Sequence, residues 1–438
     1  MTSTANMTEF AQRRKKLMEK MEPGTLAILT AAPEKMRNAD GEYPYRQDSD
    51  FHYLTGYPEP EAVAILMPGR PDGEFILFNR RRDPAKETWT GRRAGQAGAV
   101  AKYNADEAYP IDELAQRLPQ LLLGYERIAY CIGRYPEFDQ QLVSAIDTLH
   151  SKVRMGIVAP REFINLEQWL HKMRQIKSSH EIDLMRTAAQ IAARGHNRAM
   201  QVCRPGMYEY QLEAELLHEF TSNGGVPAYC SIVGSGENGC ILHYNENRSQ
   251  MKDGDLVLID AGCEYQCYAS DITRTFPVNG RFSAEQTAVY EIVLAAQLAG
   301  IKHAKPGNSL ESLHVTCMRI LVEGLVELGI LKGSVDGLIE QKAYMPFFMH
   351  RTGHWLGLDT HDAGLYRVGG EWLKFEAGMA HTIEPGLYIP AETPGVDPKW
   401  WNIGIRIEDD IAITATGCEV LSADTPKSIA DIEALMRN

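Results

Sequence analysis

The stretch DLVLIDAGCEYQCYASDITRTF, residues 255–276, constrains the fold of this chain more than any other. It holds two strand-like runs, LVLID and YASDITRTF. Read as a hairpin turning near Tyr265-Gln266, they set Asp260 directly opposite Asp271. Like charges across a sheet destabilise it. At ~4 Å and an effective dielectric near 20 the repulsion is about 4 kcal/mol. Something positive must sit between them. Arg274, in the same stretch, is one candidate; a divalent cation is the other. The turn lacks an Asn-Gly signal, so the register is an expectation only.

A cation would need further ligands, and downstream segments supply them. HTIEPGLYIP (381–390) puts Glu384 at the end of a strand-like run, before a Pro385-Gly386 turn. NIGIRIEDDIAIT (402–414) alternates, so Arg406 and Glu408 share a face. HRTGHWLGLDTHD (350–362) holds His350, His354 and His361. The i, i+4 pair His350/His354 lies among glycines and has no glutamate after its first histidine, which excludes a helical HExxH zinc site. Two aspartates, two glutamates and one histidine form an oxygen-rich set whose charge balances two divalent ions. Such a set suits manganese, cobalt or iron(II) better than a thiolate zinc site. Two metals sharing a water lower its pKa and deliver hydroxide to a carbonyl. Cys263 and Cys267 lack a second pair at finger-like spacing and are read as ordinary thiols.

Bulk properties narrow the setting. At 438 residues the chain exceeds one ordinary core. A formal charge of −13 argues against nucleic acid, which requires a dense basic surface. The one basic run, RRKK at 13–16, is read as the solvated face of an amphipathic helix. No apolar run approaches the ~18 residues of a membrane span, and the N-terminal residues do not read as a secretory signal. Eight scattered cysteines suggest reduced thiols and a cytoplasmic protein. GTLAILTAAP, EAVAILMPG, GEFILFNR and RIAYCIG read as strands, the middle two as a hairpin. A boundary near 176 precedes Ser178 and Glu181, which have capping-box spacing ahead of a long helix. The expected class is α/β (α+β), with a mixed α/β domain over 1–176 and a second domain over 177–438.

The motifs IDAGCEYQCYASDITRTFP, GHWLGLDTHDAG, TIEPGLYI and GIRIEDD, in that order, resemble the pita-bread metallopeptidases. The stretch MRNADGEYPYRQDSDFHYLTGYPEPEAVAIL extends the resemblance through the N-terminal domain, toward the bacterial Xaa-Pro aminopeptidase (aminopeptidase P) branch. That resemblance implies a C-terminal pita-bread domain releasing the first residue from Xaa-Pro-Yaa peptides. It implies two metals, manganese first, with cobalt, iron(II) or zinc as alternatives. Asp260, Asp271, His354, Glu384 and Glu408 would bind them, and Glu384 would serve a bridging hydroxide as general base and then acid. His350 and His361 would face the substrate carbonyl, and His243 would line the proline pocket. Arg406, Tyr388 and Asp40 would form a supporting network. Trp89 matches a tryptophan that lines the cleft and reaches a neighbouring subunit; an ordinary half-buried indole is the other reading. A homotetramer is implied, with a dimer as the alternative. Arg351-Thr352 departs from the smaller or less charged residues of relatives. Asp359 and Asp362 are read as structural. An Xaa-Pro dipeptidase and a non-catalytic binding relative are the rival readings.

Overall fold

The computed structural model describes residues 4–437. The chain divides into two compact units, Met1–Lys172 and Met173–Asn438.

In the first unit β1 (Thr25–Thr30), β2 (Val63–Leu66), β3 (Phe75–Asn79), β4 (Glu107–Pro110), β5 (Arg127–Ala129) and β6 (Glu162–Ile164) form one sheet, ordered β4-β3-β2-β1-β5-β6. TLAILT, VAIL and FILFN are buried at every position, as continuous apolar runs are when both faces of a sheet are covered. The expected hairpin is the antiparallel β2–β3 pair, Val63 opposite Phe78.

The basic run behaves differently from its reading as a solvated face. Lys15 and Lys16 are exposed, but Arg13 and Arg14 are buried. Arg13 Nη1 donates to Tyr53 O at 3.2 Å and Arg14 Nη1 to Leu54 O at 2.9 Å, serving last-turn carbonyls of the helix Ser49–Thr55. Their guanidinium groups also lie over the rings of Tyr53 and Phe75.

Asp50, Glu167 and His171 also come together in this unit. Arg134 already neutralises them, with Nη1 2.7 Å from Asp50 Oδ2 and Nη2 2.9 Å from Glu167 Oε1. A cation there would have to displace a guanidinium, so this is an ion-pair network.

In the second unit β7 (Val226–Pro227), β8 (Ile232–Ser235), β9 (Leu256–Asp260), β10 (Cys263–Tyr265), β11 (Tyr268–Ala269) and β12 (Thr273–Pro277) form two sheets, ordered β11-β10-β7 and β12-β9-β8. Further along come the hairpin β13 (Arg367–Val368) and β14 (Glu371–Trp372), then β15 (Ala380–Ile383) and β16 (Gly386–Ile389). The last strands are β17 (Ile403–Arg406), β18 (Asp409–Ile413) and β19 (Cys418–Val420). β16 pairs with β17, and β18 lies between β15 and β19. Helices Ser179–Val202, Glu209–Ser222, Ala284–His303 and Leu310–Glu327 share one apolar core with these strands. The first opens with the expected capping box: Ser178 Oγ accepts from Glu181 N, and Ser178 N donates to Glu181 Oε2.

The 255–276 hairpin forms with a register two residues from the expected one. Its turn is Gln266-Cys267, both with positive φ (50° and 70°), as a two-residue type I′ turn requires. Tyr265 faces Tyr268, and Asp260 faces Thr273 rather than Asp271. Side chains alternate with period two, so a shift of two keeps residue 271 on the side of the ladder first expected. Residue 274 then points the other way. Arg274 is fully buried against Asp409, Nη2 to Oδ1 2.7 Å, and does not separate the two aspartates.

Candidate metal centre

β9 ends at Asp260, Asp271 follows the irregular return from β11, Glu384 follows β15, and Glu408 sits between β17 and β18. With His354, from the loop before β13, they line one cleft of ≈ 500 Å³, together with His243, His350, Arg351, His361, Tyr366, Trp372 and Arg406. The ligand atoms of Asp271, His354 and Glu408 lie within 4.8 Å of one another.

The imidazole is oriented from behind. His354 Nδ1 is 3.0 Å from Trp355 O, and a carbonyl only accepts, so Nδ1 carries the proton. Nε2 is left facing the carboxylates, 3.4 Å from Asp271 Oδ2 and 3.7 Å from Glu384 Oε1. Burial lowers the pKa of His354, but the bond to Asp271 and the charges of Asp271 and Glu384 together outweigh it and lift the ring to about 9.

Donor chemistry tests whether cations fit. Tyr229 Oη lies 2.6 Å from Asp260 Oδ1 and 2.5 Å from Asp271 Oδ1. One hydroxyl proton cannot serve two carboxylates, so this corner is short of positive charge. Arg406 offsets one acid, Nη2 to Asp260 Oδ2 2.6 Å. Burial, then the facing acids Asp271, Glu384 and Asp260, push Glu408 well above the carboxylate range. Burial lifts Glu384 to about 7, against His354 and Arg406. Of these acids Asp271 alone is pulled down: burial raises it, but His354, Tyr229 and Arg406 together more than compensate. Carboxylates that resist ionising together are what divalent cations reverse, so the set fits a metal centre.

A hydrogen-bonded chain runs from Arg406 along the wall of the cleft. Nη1 donates to Tyr388 Oη at 2.9 Å, and Tyr388 Oη is 2.9 Å from His350 Nε2. His350 Nδ1 is 2.8 Å from Arg351 O and so donates. Both nitrogens are thus engaged, and burial, aided by Arg406, lowers this ring to about 3, keeping it neutral. To donate to a substrate carbonyl it would have to exchange one of these bonds. His361 is exposed, its ring edge-on to His354 at 4.2 Å between centroids. His243, also exposed, lines this cleft and a neighbouring one of ≈ 510 Å³.

Asp40 and Trp89 belong to the first unit and are exposed, Trp89 by 87 %. Within the second unit the side chain of Arg406 donates to Thr273, Tyr388 and Asp260. Asp359 and Asp362 hold the histidine loop from outside the cleft. Arg174 Nη2 donates to Asp359 Oδ2 at 2.7 Å and Asp362 Oδ1 at 2.5 Å, and Lys177 Nζ to Asp362 Oδ2 at 2.9 Å. Burial raises the Asp362 pKa, but Lys177 and Arg174 hold it below its ordinary range. Arg351 stands at the cleft wall, paired with Glu311 and lying over Trp372.

Sequence reasoning missed Tyr229 and Thr273. Tyr229 stands 31 residues from Asp260 with no motif around it. Thr273 lies inside DITRTF, but only the true register shows what it faces.

The metallopeptidase family M24 model matches residues 183–415, and the aminopeptidase P N-terminal domain model matches 10–130. An Xaa-Pro aminopeptidase of Escherichia coli is 50 % identical over 436 residues, 99 % of this chain and 98 % of the relative. The solved Pseudomonas aeruginosa aminopeptidase PepP is 55 % identical with a TM-score of 0.98, over 98 % of each chain. A substituted E. coli aminopeptidase P in complex with substrate superposes at 0.96, with 50 % identity over 98 % of each chain. The fold is an aminopeptidase P N-terminal domain followed by a pita-bread domain. With both family models, the relatives' full-length coverage and the carboxylate–histidine cleft in agreement, the chain belongs to metallopeptidase family M24.

Proposed function

We propose that this protein is a dinuclear metallo-aminopeptidase that releases the first residue from peptides with proline in second position. The observation carrying this reading is one cleft lined by Asp260, Asp271, His354, Glu384 and Glu408 and flanked by His243, His350 and His361. Two divalent ions held by those five residues, manganese by preference for an oxygen-rich set, would supply Lewis acidity and lower the pKa of water. The residues of the chain do the rest. Glu384, at the cleft wall, takes a proton from the attacking water and returns it to the proline nitrogen. His361, exposed beside His354, donates to the carbonyl oxygen as it gains charge. His350 is the second group facing that carbonyl, once it gives up one of its two bonds, and Tyr388 links it to Arg406. His243 receives the proline ring.

Proline requires such a site because it fixes φ and makes a tertiary amide. Trp89, exposed on its helix, is the surface that a homotetramer would cover. Eight free cysteines fit a reducing, cytoplasmic setting. Among the described residues no helix is long and apolar enough to cross a membrane.

The test compares kcat/KM for an Xaa-Pro-Yaa tripeptide and the matching Xaa-Pro dipeptide, on protein stripped with chelator and reloaded with manganese. Preference for the tripeptide is expected. Preference for the dipeptide would make the protein a dipeptidase, and cleavage of neither would leave a binding protein. His361→Ala should lower kcat by about 10²–10³-fold, as loss of one oxyanion donor does. Its metal content, measured by atomic absorption, should match the wild type. Metal loss would make His361 a ligand instead.

A further inference from the structure

We infer that Thr273 is a positioning residue for this centre, holding Glu408 in register with Arg406 through a single hydroxyl; this rests on the reading of Glu408 as a metal ligand. Thr273 is fully buried, and its backbone faces both strands that matter: it pairs with Asp260 across β9 and bridges to Glu408, whose N–H donates to Thr273 O at 3.0 Å. Its side chain has two neighbours. Thr273 Oγ1 lies 2.7 Å from Glu408 Oε2, and Arg406 Nε lies 3.1 Å from Thr273 Oγ1.

The direction of these bonds follows from valence. A guanidinium only donates, so Thr273 Oγ1 accepts from Arg406. The one hydroxyl proton is then left for Glu408, which must accept it through Oε2. The acid is thereby held with one oxygen tied, and the same Arg406 is tied to Asp260 and to Tyr388. Thr273 is therefore the link between a carboxylate of the metal set and the residue that orients the cleft wall. Arg406 is fixed independently at its backbone, where its N–H donates to Thr275 Oγ1 at 3.2 Å and its carbonyl accepts from the same hydroxyl at 3.1 Å. Losing the Thr273 hydroxyl should thus loosen the Glu408 carboxylate more than it displaces the strand.

The test replaces the hydroxyl while keeping the shape. Thr273→Val leaves both Arg406 Nε and Glu408 Oε2 without that partner, whereas Thr273→Ser keeps the donor and removes only a methyl. Manganese binding to chelator-stripped protein is followed by calorimetry, alongside kcat, KM and Tm. Groups that orient metal ligands are worth roughly 10–100-fold in metal affinity or activity. Thr273→Val should weaken one of two manganese binding events by about that factor and lower kcat with little change in KM. Thr273→Ser should restore both. If Thr273→Val cannot be obtained folded, Thr273→Cys, a poor donor of similar size, should show an intermediate loss. Wild-type manganese affinity in Thr273→Val or Thr273→Cys would overturn the inference, as would a fall in Tm alone. So would a Thr273→Ser variant as impaired as Thr273→Val. The binding arm is independent of substrate, so a wild-type protein that cleaves no Xaa-Pro peptide would sink the functional reading and still leave Thr273 tested.

Discussion

Asp271→Ala should abolish Xaa-Pro cleavage and leave the protein binding one divalent ion in place of two. Asp271 occupies the centre of the site: His354 Nε2 lies 3.4 Å from one oxygen and Tyr229 Oη 2.5 Å from the other. Its backbone N–H donates to the Asp410 carboxylate at 3.1 and 3.2 Å, which fixes the irregular segment before β12. Alanine keeps that amide, so the hairpin should persist while the carboxylate ligand is lost. The activity loss should exceed the roughly 10–100-fold typical of removing a group that only supports a ligand. Equilibrium dialysis against manganese, followed by metal counting, measures the stoichiometry directly. Two ions bound at wild-type affinity would remove Asp271 from the ligand set.

Glu384→Gln should lower kcat by about 10²–10⁴-fold, the range for a positioned acid–base group, even when manganese is in excess. The amide preserves shape and can still offer an oxygen, but it cannot accept a proton from water and return it to the leaving nitrogen. Glu384 is half-buried in the cleft it shares with Asp260, Asp271 and His354, and its position directly before Pro385 and β16 makes it rigid. Single-turnover kinetics at saturating tripeptide separates this from weak binding. A KM effect with kcat retained would make Glu384 a substrate contact and move the proton work elsewhere.

What was legible in the sequence depended on how local each signal was. Strands such as LVLI and VAIL announce themselves by unbroken apolar runs, and Ser178/Glu181 by spacing within one helical turn. Asp260, Asp271, His354, Glu384 and Glu408 stand out as a group because charges beside apolar runs need a reason. The register of the 255–276 hairpin was harder. Gln266-Cys267 is an unusual pair for a turn with both φ angles positive, and only cross-strand pairing decides between neighbouring registers. The fate of Arg274 did not depend on that register: three residues from Asp271, it takes the opposite face in either one, and there it meets Asp409. Arg13 and Arg14 look like any basic run until the carbonyls of Tyr53 and Leu54, 40 residues on, are brought against them. Tyr229 and Thr273 act through partners as many as 135 residues distant. No window of sequence contains those pairs.

The salt-bridged triad of Arg174, Lys177 and Asp362 bears on where the second unit begins. Both cations come from the short segment that opens that unit, while Asp362 is the residue directly after His361. A shortened chain starting at 177 would delete Arg174 and leave Asp362 with one cation, and Asp359 without its arginine. One starting at 173 would retain all of these. Four residues of leader, with no chemistry of their own in the cleft, therefore separate a tethered histidine loop from a loosened one. The ion pair of Arg174 thus ties the histidine loop to a residue five positions ahead of the helix Ser179–Val202.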